Sequence, residues 1–311
     1  MQTWVMEILG SHLIPHEPAG QEGYYSVREV DLHELALAQG RSLREVTLDC
    51  LEAGIWPERM RPNRGTFSTQ EQARLLRSRV AVIGAGGLGG MVILQLARLG
   101  VGGLIVCDGD IFEESNLNRQ FLAEQASLGQ NKAQVAARVV HALNPVVEML
   151  VHAVWAYEDN LPTIIKNAQV VVDCLDTMTT RYIVEEACRQ AGLPFLHGAV
   201  GGLGGMVMTV KNGDPGLAGL YGQEPAPKAD SAESYLGVPA PTPAFIATLQ
   251  VSEVIKLLLG WPGLGRGQVL HVDLGGGAQH RGAATGVNVG PGCPRLGYNG
   301  SVEAGFFGWR L

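Results

Sequence analysis

Val80-Ala-Val-Ile-Gly-Ala-Gly-Gly-Leu-Gly-Gly90 decides how this chain folds. An apolar run ends in Gly84, Gly86 and Gly89, spaced G-x-G-x-x-G with Gly87 between them, and an apolar helical pattern follows through Leu99. A second apolar run, Leu104 to Cys107, ends at Asp108. The pattern predicts a strand, a tight glycine turn, a helix and a second strand closed by an acid. The first glycine permits a sharp turn, the second lets a phosphate approach the backbone, and the third lets the helix lie close on the sheet. The helix N-terminus offers unpaired N–H groups and a partial positive charge to that phosphate. Asp108 follows the turn by roughly twenty residues, where a ribose-binding acid belongs. A bare glycine turn is weak evidence. Placed in strand–turn–helix–strand–acid order, it is strong.

Further along, Gly129-Gln-Asn-Lys132 opens a helix with Ala133, Val135, Ala136, Val139, Val140 and Leu143 on its apolar side, and Asn144-Pro145 stops it. Residues 146–151 read as a strand, 161–167 as a helix, 170–173 as a buried strand, 179–191 as a helix and 194–199 as a strand. Such alternation predicts an α/β fold with a Rossmann-like, doubly wound, mostly parallel sheet. Gly201-Gly-Leu-Gly-Gly205 breaks the alternation, and 206–211 reads as a strand with no helix before it. The sheet is therefore expected to be mixed in its C-terminal part. Residues 212–241, rich in Gly, Pro and Ala, read as a mobile loop. Pro243 then starts a long helix, and 269–272 reads as the last strand.

Residues 1–60 read as an N-terminal helical appendage. Asp31 is placed to cap one helix that ends near Gly40, and Ser42 to precede a second that ends at Gly54. Its plain reading is a helical pair covering the main domain or a subunit interface; its functional reading is a clamp for a peptide. The expected organisation is an appendage over 1–60, a nucleotide-binding domain over 61–274 and a glycine-rich tail over 275–311.

The chain has 311 residues, 46% hydrophobic and 17% charged, which is a globular composition. Net charge is −7 with no basic run, so neither nucleic acid nor an anionic membrane is expected as a main partner. The five cysteines form no C-x-x-C pair and suggest a reducing compartment without a disulfide framework. No signal peptide is read in the first residues, and no stretch reads as long and apolar enough to span a bilayer. A cytoplasmic location is expected.

In an open parallel sheet, ligands bind beyond the carboxyl ends of the strands. Asp108, the 116–120 segment, the glycine turn and the loop after Asp173 should converge there. Asn116, Arg119 and Lys132 would place two cations and an amide donor near the glycine turn. That charge suits a triphosphate whose charge shifts during reaction. Asp176 could hold Mg²⁺, which takes one or two carboxylates plus phosphate oxygens. Arg59-Met-Arg-Pro-Asn-Arg-Gly65, taken alone, reads as a solvated linker.

Gly84-x-Gly86-x-x-Gly89, Asp108-Gly-Asp110, Ser115-Asn-Leu-Asn-Arg-Gln120, Gly129-Gln-Asn-Lys132 and Asp173-Cys-Leu-Asp176, in that order, closely resemble the E1-like adenylating enzymes. The resemblance is to the ThiF/MoeB/HesA group, which activates ubiquitin-like sulfur carriers, and it covers about residues 61–274. It implies that Asp108 binds the ATP ribose and that Asn116, Arg119 and Lys132 bind phosphates, with Gln120 beside them. It implies Asp176 as the Mg²⁺ ligand. Asp110 belongs to the same set, either at the nucleotide or bracing the Asn116 loop. Arg61-Pro-Asn-Arg64 resembles the family's Arg-x-x-Arg segment, whose second arginine reaches the neighbouring subunit's ATP. Arg64 thereby becomes a cation supplied in trans, and a homodimer is implied.

The implied reaction is attack on the α-phosphate of ATP by the C-terminal carboxylate of a Gly-Gly-ended carrier, giving an acyl-adenylate and pyrophosphate. Two departures stand against the family pattern. Many relatives carry paired C-x-x-C zinc ligands, but Gly216–Gly222 stands where the first pair would fall and Cys293 is the only cysteine near the second, so no structural zinc is expected. Residues 212–250 contain no cysteine, so thiol catalysis from that loop is not expected either. Adenylation of a small peptide, a nicotinamide- or flavin-dependent oxidoreductase and a non-catalytic carrier-binding scaffold remain the alternatives.

Overall fold

Side chains along the strand after Arg79 point alternately into two separate cores. In the computed structural model, which describes residues 9–20, 22–223, 236–276 and 278–283, Val80 and Val82 face one helical layer and Ala81 and Ile83 the other. A strand buried on both faces cannot alternate apolar with polar, and this is why the run is continuously apolar. The strands are β4 (Arg79–Ile83), β5 (Gly103–Cys107), β6 (Glu148–His152), β7 (Val170–Asp173), β8 (Phe195–Gly201), β9 (Gly204–Val210), β10 (Gln268–Asp273) and β11 (Ala278–Ala283). They form one eight-stranded sheet in the order β11-β10-β9-β8-β7-β4-β5-β6. Pairings from β6 through β8 are parallel, and those from β8 through β11 are antiparallel. The expected mixed C-terminal part is present, built from a β8–β9 hairpin and the strands beyond it.

One face carries α3 (Thr69–Arg77), α4 (Gly87–Leu99), α5 (Lys132–Leu143) and α9 (Pro241–Leu259). The other carries α6 (Leu161–Ile164), α7 (Met178–Ala191) and α8 (Gly216–Tyr221). Each fully buried Val, Leu or Ile in these layers contributes about 1.5–3 kcal/mol of transfer free energy. The chain runs β4, β5, β6 to one side and then returns to place β7 on the other side of β4. The sheet's switch point therefore lies between the carboxyl ends of β4 and β7, where an open α/β sheet offers its ligand crevice.

The N-terminal appendage is not purely helical, as the sequence suggested. It contains β1 (Ile14–His16), β2 (Tyr24–Val27) and β3 (Ile55–Pro57), a three-stranded sheet around α1 (Glu29–Gln39) and α2 (Leu43–Glu52). Three-residue strands carry too little alternation to be read from sequence. Ser42 caps α2 with a reciprocal Glu45 bond, as its position suggested. Asp31 does not cap α1. The helix begins at Glu29, and Asp31 lies buried inside it, accepting from Arg28 and paired with His12. Arg44 of α2 ties the appendage to the sheet by donating to Leu76 O (2.8 Å) and to Glu148 Oε2 (3.1 Å), the carboxylate that Arg79 also grips.

Three further expectations need correction. Residues 212–241 are not all loop, because α8 lies within them; residues 224–235 fall outside the described residues. The tail does not begin at 275, because β11 adds a strand to the sheet; residues 284–311 fall outside the described residues. By length and composition α9 is apolar enough to cross a membrane. Its apolarity is that of a core helix: Ile246, Ala247, Val251 and Val254 are buried in the shared core with α4.

The glycine turn is packed main chain against main chain. A Cβ on Gly89 would lie 1.8 Å from the Gly84 carbonyl oxygen, so main chain would have to move. Gly89→Ala is expected to destabilise the protein by at least ~2 kcal/mol, read as a lower urea midpoint; an unchanged midpoint would contradict this packing.

Candidate functional site

Gly84 leaves β4 at φ +97°, a conformation that L side chains rarely adopt, and a Cβ there would also sit 2.6 Å from the Cys174 carbonyl oxygen. The turn is thus wedged against the loop after β7. Gly86 precedes the first turn of α4 and lies under the Gln120 amide, which a Cβ would meet at 3.6 Å. Gly87 faces the Arg119 carbonyl and Pro243, at the start of α9. The N–H groups of this first turn have no helical partner of their own.

Asp108 closes β5 and reaches across to the turn. Its Oδ2 accepts the Ala85 N–H (2.7 Å) and its Oδ1 the Asp110 N–H (2.8 Å). Burial raises its carboxyl above the usual carboxylate range, opposed by those two N–H bonds. Lys132, the first residue of α5, is buried, and its Nζ is 2.6 Å from Asp110 Oδ2. Burial alone would push Asp110 up, but its Lys132 bond prevails and holds the carboxyl below its ordinary value. Asn131 knits this corner together. Its Nδ2 donates to Asp108 O (2.9 Å) and Asp110 O (3.0 Å), while its Oδ1 caps α5. An Asn just before a helical run is a capping signal, and Asn131 fills that role here.

The 116–120 segment lies over the same edge. Gln120 is buried beside Gly86, and its Oε1 has no hydrogen-bond partner among the described residues. Such an unpaired buried acceptor marks a place where a donor belongs. Asn116 is buried too, but its side chain caps its own turn by accepting the Glu113 N–H (3.1 Å). Arg119 is folded back on its loop, donating to Ser115 O and Asn118 Oδ1. Asp176 stands exposed on the loop after β7, with no hydrogen bond or ion pair among the described residues. Arg64 follows the appendage and packs back against it, its guanidinium carbon 4.1 Å from the Tyr24 ring centroid.

The structure thus draws the glycine turn, Asp108, Asp110 and Lys132 into one corner and sets Gln120 over Gly86. The Arg119 and Asn116 side chains are occupied within their own loop. A lone exposed carboxylate suits a cation that takes its remaining ligands from phosphate and water, so Asp176 fits Mg²⁺. Among the described residues, no group of three or more His, Cys, Asp or Glu could hold a metal. Burial pushes the thiols of Cys50, Cys107 and Cys188 up to about 12 and that of Cys174 well above its ordinary value. None of these four cysteines is poised as a thiolate.

Asp173, at the end of β7, and His197, on β8, form a buried pair that neither residue's neighbours in the chain announce. His197 Nδ1 lies 2.6 Å from Asp173 Oδ2, with both side chains fully buried. They are 24 residues apart and meet only because β7 and β8 are neighbours.

A doubly wound sheet whose glycine turn, acid-closed second strand and lysine-bearing helix meet at the switch point is a Rossmann-like nucleotide-binding architecture. The chain belongs to the ThiF family, whose profile matches residues 60–283. It is 38% identical over 188 residues to the SAMP-activating enzyme E1 of Haloferax volcanii, covering 60% of this chain and 70% of that protein. It is 36% identical over 197 residues to the sulfur carrier protein adenylyltransferase of Thermus thermophilus, covering 61% and 72%. To the adenylyltransferase and sulfurtransferase MOCS3 of Arabidopsis thaliana it is 33% identical over 241 residues, which is 75% of this chain and 51% of that protein. The chain thus spans about half the length of that plant relative. Among solved structures, Escherichia coli MccB superposes with a TM-score of 0.63 at 20% identity, covering 78% of this chain and 75% of that one. PaaA superposes with a TM-score of 0.58 at 21% identity, covering 78% and 72%. These two share the fold.

Burial pushes the His197 imidazole below its ordinary value, with the Asp173 hydrogen bond opposing it. An unfolded histidine gains a proton below pH ~6.5, and the folded state resists that gain. Its contribution to stability is therefore present above that pH and lost as pH falls through it. Thermal unfolding of the wild type should show a loss between about pH 7 and 5.5 that is smaller in His197→Gln; equal losses would refute the assignment.

Proposed function

We propose that this chain is an ATP-dependent adenylyltransferase that activates the C-terminal carboxylate of a ubiquitin-like sulfur carrier ending in Gly-Gly. Membership of the ThiF family and relatives named as activating or adenylylating enzymes support the reading. The observation that carries it is the corner at the switch point. There the glycine turn, the Asp108 carboxylate bonded to Ala85 N–H, and the Asp110–Lys132 pair lie at one strand edge, with Asp176 on the adjoining loop.

The first turn of α4 supplies N–H groups to the phosphates, and Gly86 leaves room for them to approach. Asp108, already oriented by two N–H bonds, has acceptor capacity left for the ribose hydroxyls. Gln120 Oε1, without a partner among the described residues, lies beside Gly86 of the glycine turn. A carrier carboxylate oxygen bonds to the α-phosphorus as the bond to the bridging oxygen breaks, and pyrophosphate leaves with that electron pair. The carboxylate is already a nucleophile, so no side-chain base is needed. Catalysis consists of placement and charge stabilisation. Lys132 must exchange Asp110 for phosphate, and Arg119 must unfold from Ser115, to meet the growing charge on pyrophosphate. Mg²⁺ held by Asp176 would neutralise phosphate charge there. No zinc and no thioester enter this scheme, and the protein would act in the cytoplasm.

Pyrophosphate exchange into ATP, dependent on a Gly-Gly-ended carrier, tests the reading. Lys132→Ala, Arg119→Ala and Asp176→Ala should each lower the exchange rate by at least ~10²-fold, as expected for lost electrostatic stabilisation. Activity within a fewfold of wild type in all three would reject these assignments.

Arg64, resting on Tyr24, is assigned to the partner's site in a homodimer. Mixing inactive Arg64→Ala and Asp176→Ala proteins should then restore about a quarter of wild-type activity, because half the dimers are mixed and each has one complete site. No restoration after subunit exchange would place Arg64 elsewhere.

A further inference from the structure

Asp173 ends β7 with its side chain fully buried, and it fastens several pieces of chain. Its Oδ1 accepts the Leu175 N–H (3.0 Å), its Oδ2 lies 2.6 Å from His197 Nδ1 and 3.5 Å from Arg181 Nε, and its carbonyl accepts from Gln250 Nε2 (2.8 Å). Arg181, at the start of α7, donates to the Leu175 carbonyl. Both backbone groups of Leu175 are thus fixed, one residue before Asp176. On the other side the Cys174 carbonyl presses on Gly84, so the loop has no slack between the glycine turn and the Asp173 cluster.

The cluster continues away from the nucleotide corner. With the Asp173 carboxylate as acceptor, the imidazole proton sits on Nδ1, and His197 Nε2 accepts from the Tyr221 hydroxyl (3.0 Å). Tyr221 ends α8, which α7 holds through the Tyr182 hydroxyl on Gly222 O (2.7 Å) and Glu185 on the Leu217 N–H (3.0 Å). One hydrogen-bonded line therefore runs Tyr221–His197–Asp173–Leu175 and stops beside Asp176.

A buried charge cluster does not explain itself by stability, since apolar residues of equal volume often serve as well or better. What apolar residues cannot supply is direction: a carboxylate that accepts from the Leu175 N–H and from His197, with the Arg181 guanidinium beside it, holds one loop geometry. We propose that His197 and Tyr221 are positioning residues, which set the Asp176 loop for divalent-cation binding and make that affinity depend on the placement of helix α8. This rests on the reading of Asp176 given above. Neither residue touches nucleotide or metal; both act through Asp173 and the Leu175 backbone. Groups that orient a metal ligand from behind commonly tune its affinity.

The test uses the whole protein with a non-hydrolysable ATP analogue and Mn²⁺ as probe, with bound metal followed by electron paramagnetic resonance. Tyr221→Phe removes one hydroxyl and keeps the ring. His197→Asn keeps a donor for Asp173 but cannot reach Tyr221. Tyr221→Phe should weaken Mn²⁺ binding about fivefold, the worth of one net hydrogen bond, with the metal-free affinity for the analogue unchanged. His197→Asn should weaken it at least as much. Asp176→Asn separates the two levels of the argument. If it abolishes Mn²⁺ binding while both other variants bind like wild type, the positioning line is overturned and the site assignment stands. If Asp176→Asn itself binds like wild type, the metal assignment falls and the proposal with it.

Discussion

The approach of the Gly89 α-carbon to the Gly84 carbonyl, with Cys174 pressed against both glycines, is the constraint on which the site depends. It brings the start of α4 down onto the carboxyl ends of β4 and β7, leaving no room for a β-carbon at either glycine. Because the contact is main chain against main chain, side-chain rotation cannot relieve it. Everything chemical is then placed relative to this fixed edge. Asp108 reaches Ala85 from β5, Gln120 covers Gly86, and the loop bearing Asp176 leaves from the far side of the same wedge.

Charge at that edge is arranged as a set of exchangeable pairs. Lys132 is buried against Asp110, and Arg119 is satisfied by its own loop. Neither cation faces an anion-sized space unpaired, which would be costly in a partly buried corner. In the proposed function a triphosphate would compete for both. The energetic cost of parting Lys132 from Asp110 is offset only by a ligand with more negative charge than one carboxylate. Such competition favours the reacting, charge-rich form over a weakly charged ligand.

The two faces of the sheet divide the labour. Helices α4, α5 and α9 build the larger core and hold the glycine-turn side of the crevice, while α7 and α8 on the opposite face hold the Asp173–His197–Tyr221 line. The switch in strand order between β4 and β7 lets both faces contribute to one crevice. The appendage joins this frame through Arg44 and Glu148, and Arg64 packs back on its Tyr24.

Local order in the chain was enough to determine the glycine turn, its flanking strands, the acid at the end of β5, the start of α5 at Lys132 and the mixed character of the later sheet. These features depend on neighbours within a few residues or on a period of two or 3.6, and such signals are written along the backbone. The short strands β1 to β3, the strand β11 beyond Gly275 and the choice of α4 as the helix that α9 packs on were not legible, because each is decided by contacts across tens of residues. Nor could the order of residues show that His197 meets Asp173, that Lys132 is closed on Asp110 or that Gln120 is left unpaired over Gly86. Those are decided by which strands become neighbours and by how closely two glycines let a helix approach the sheet, and both are properties of the packed molecule.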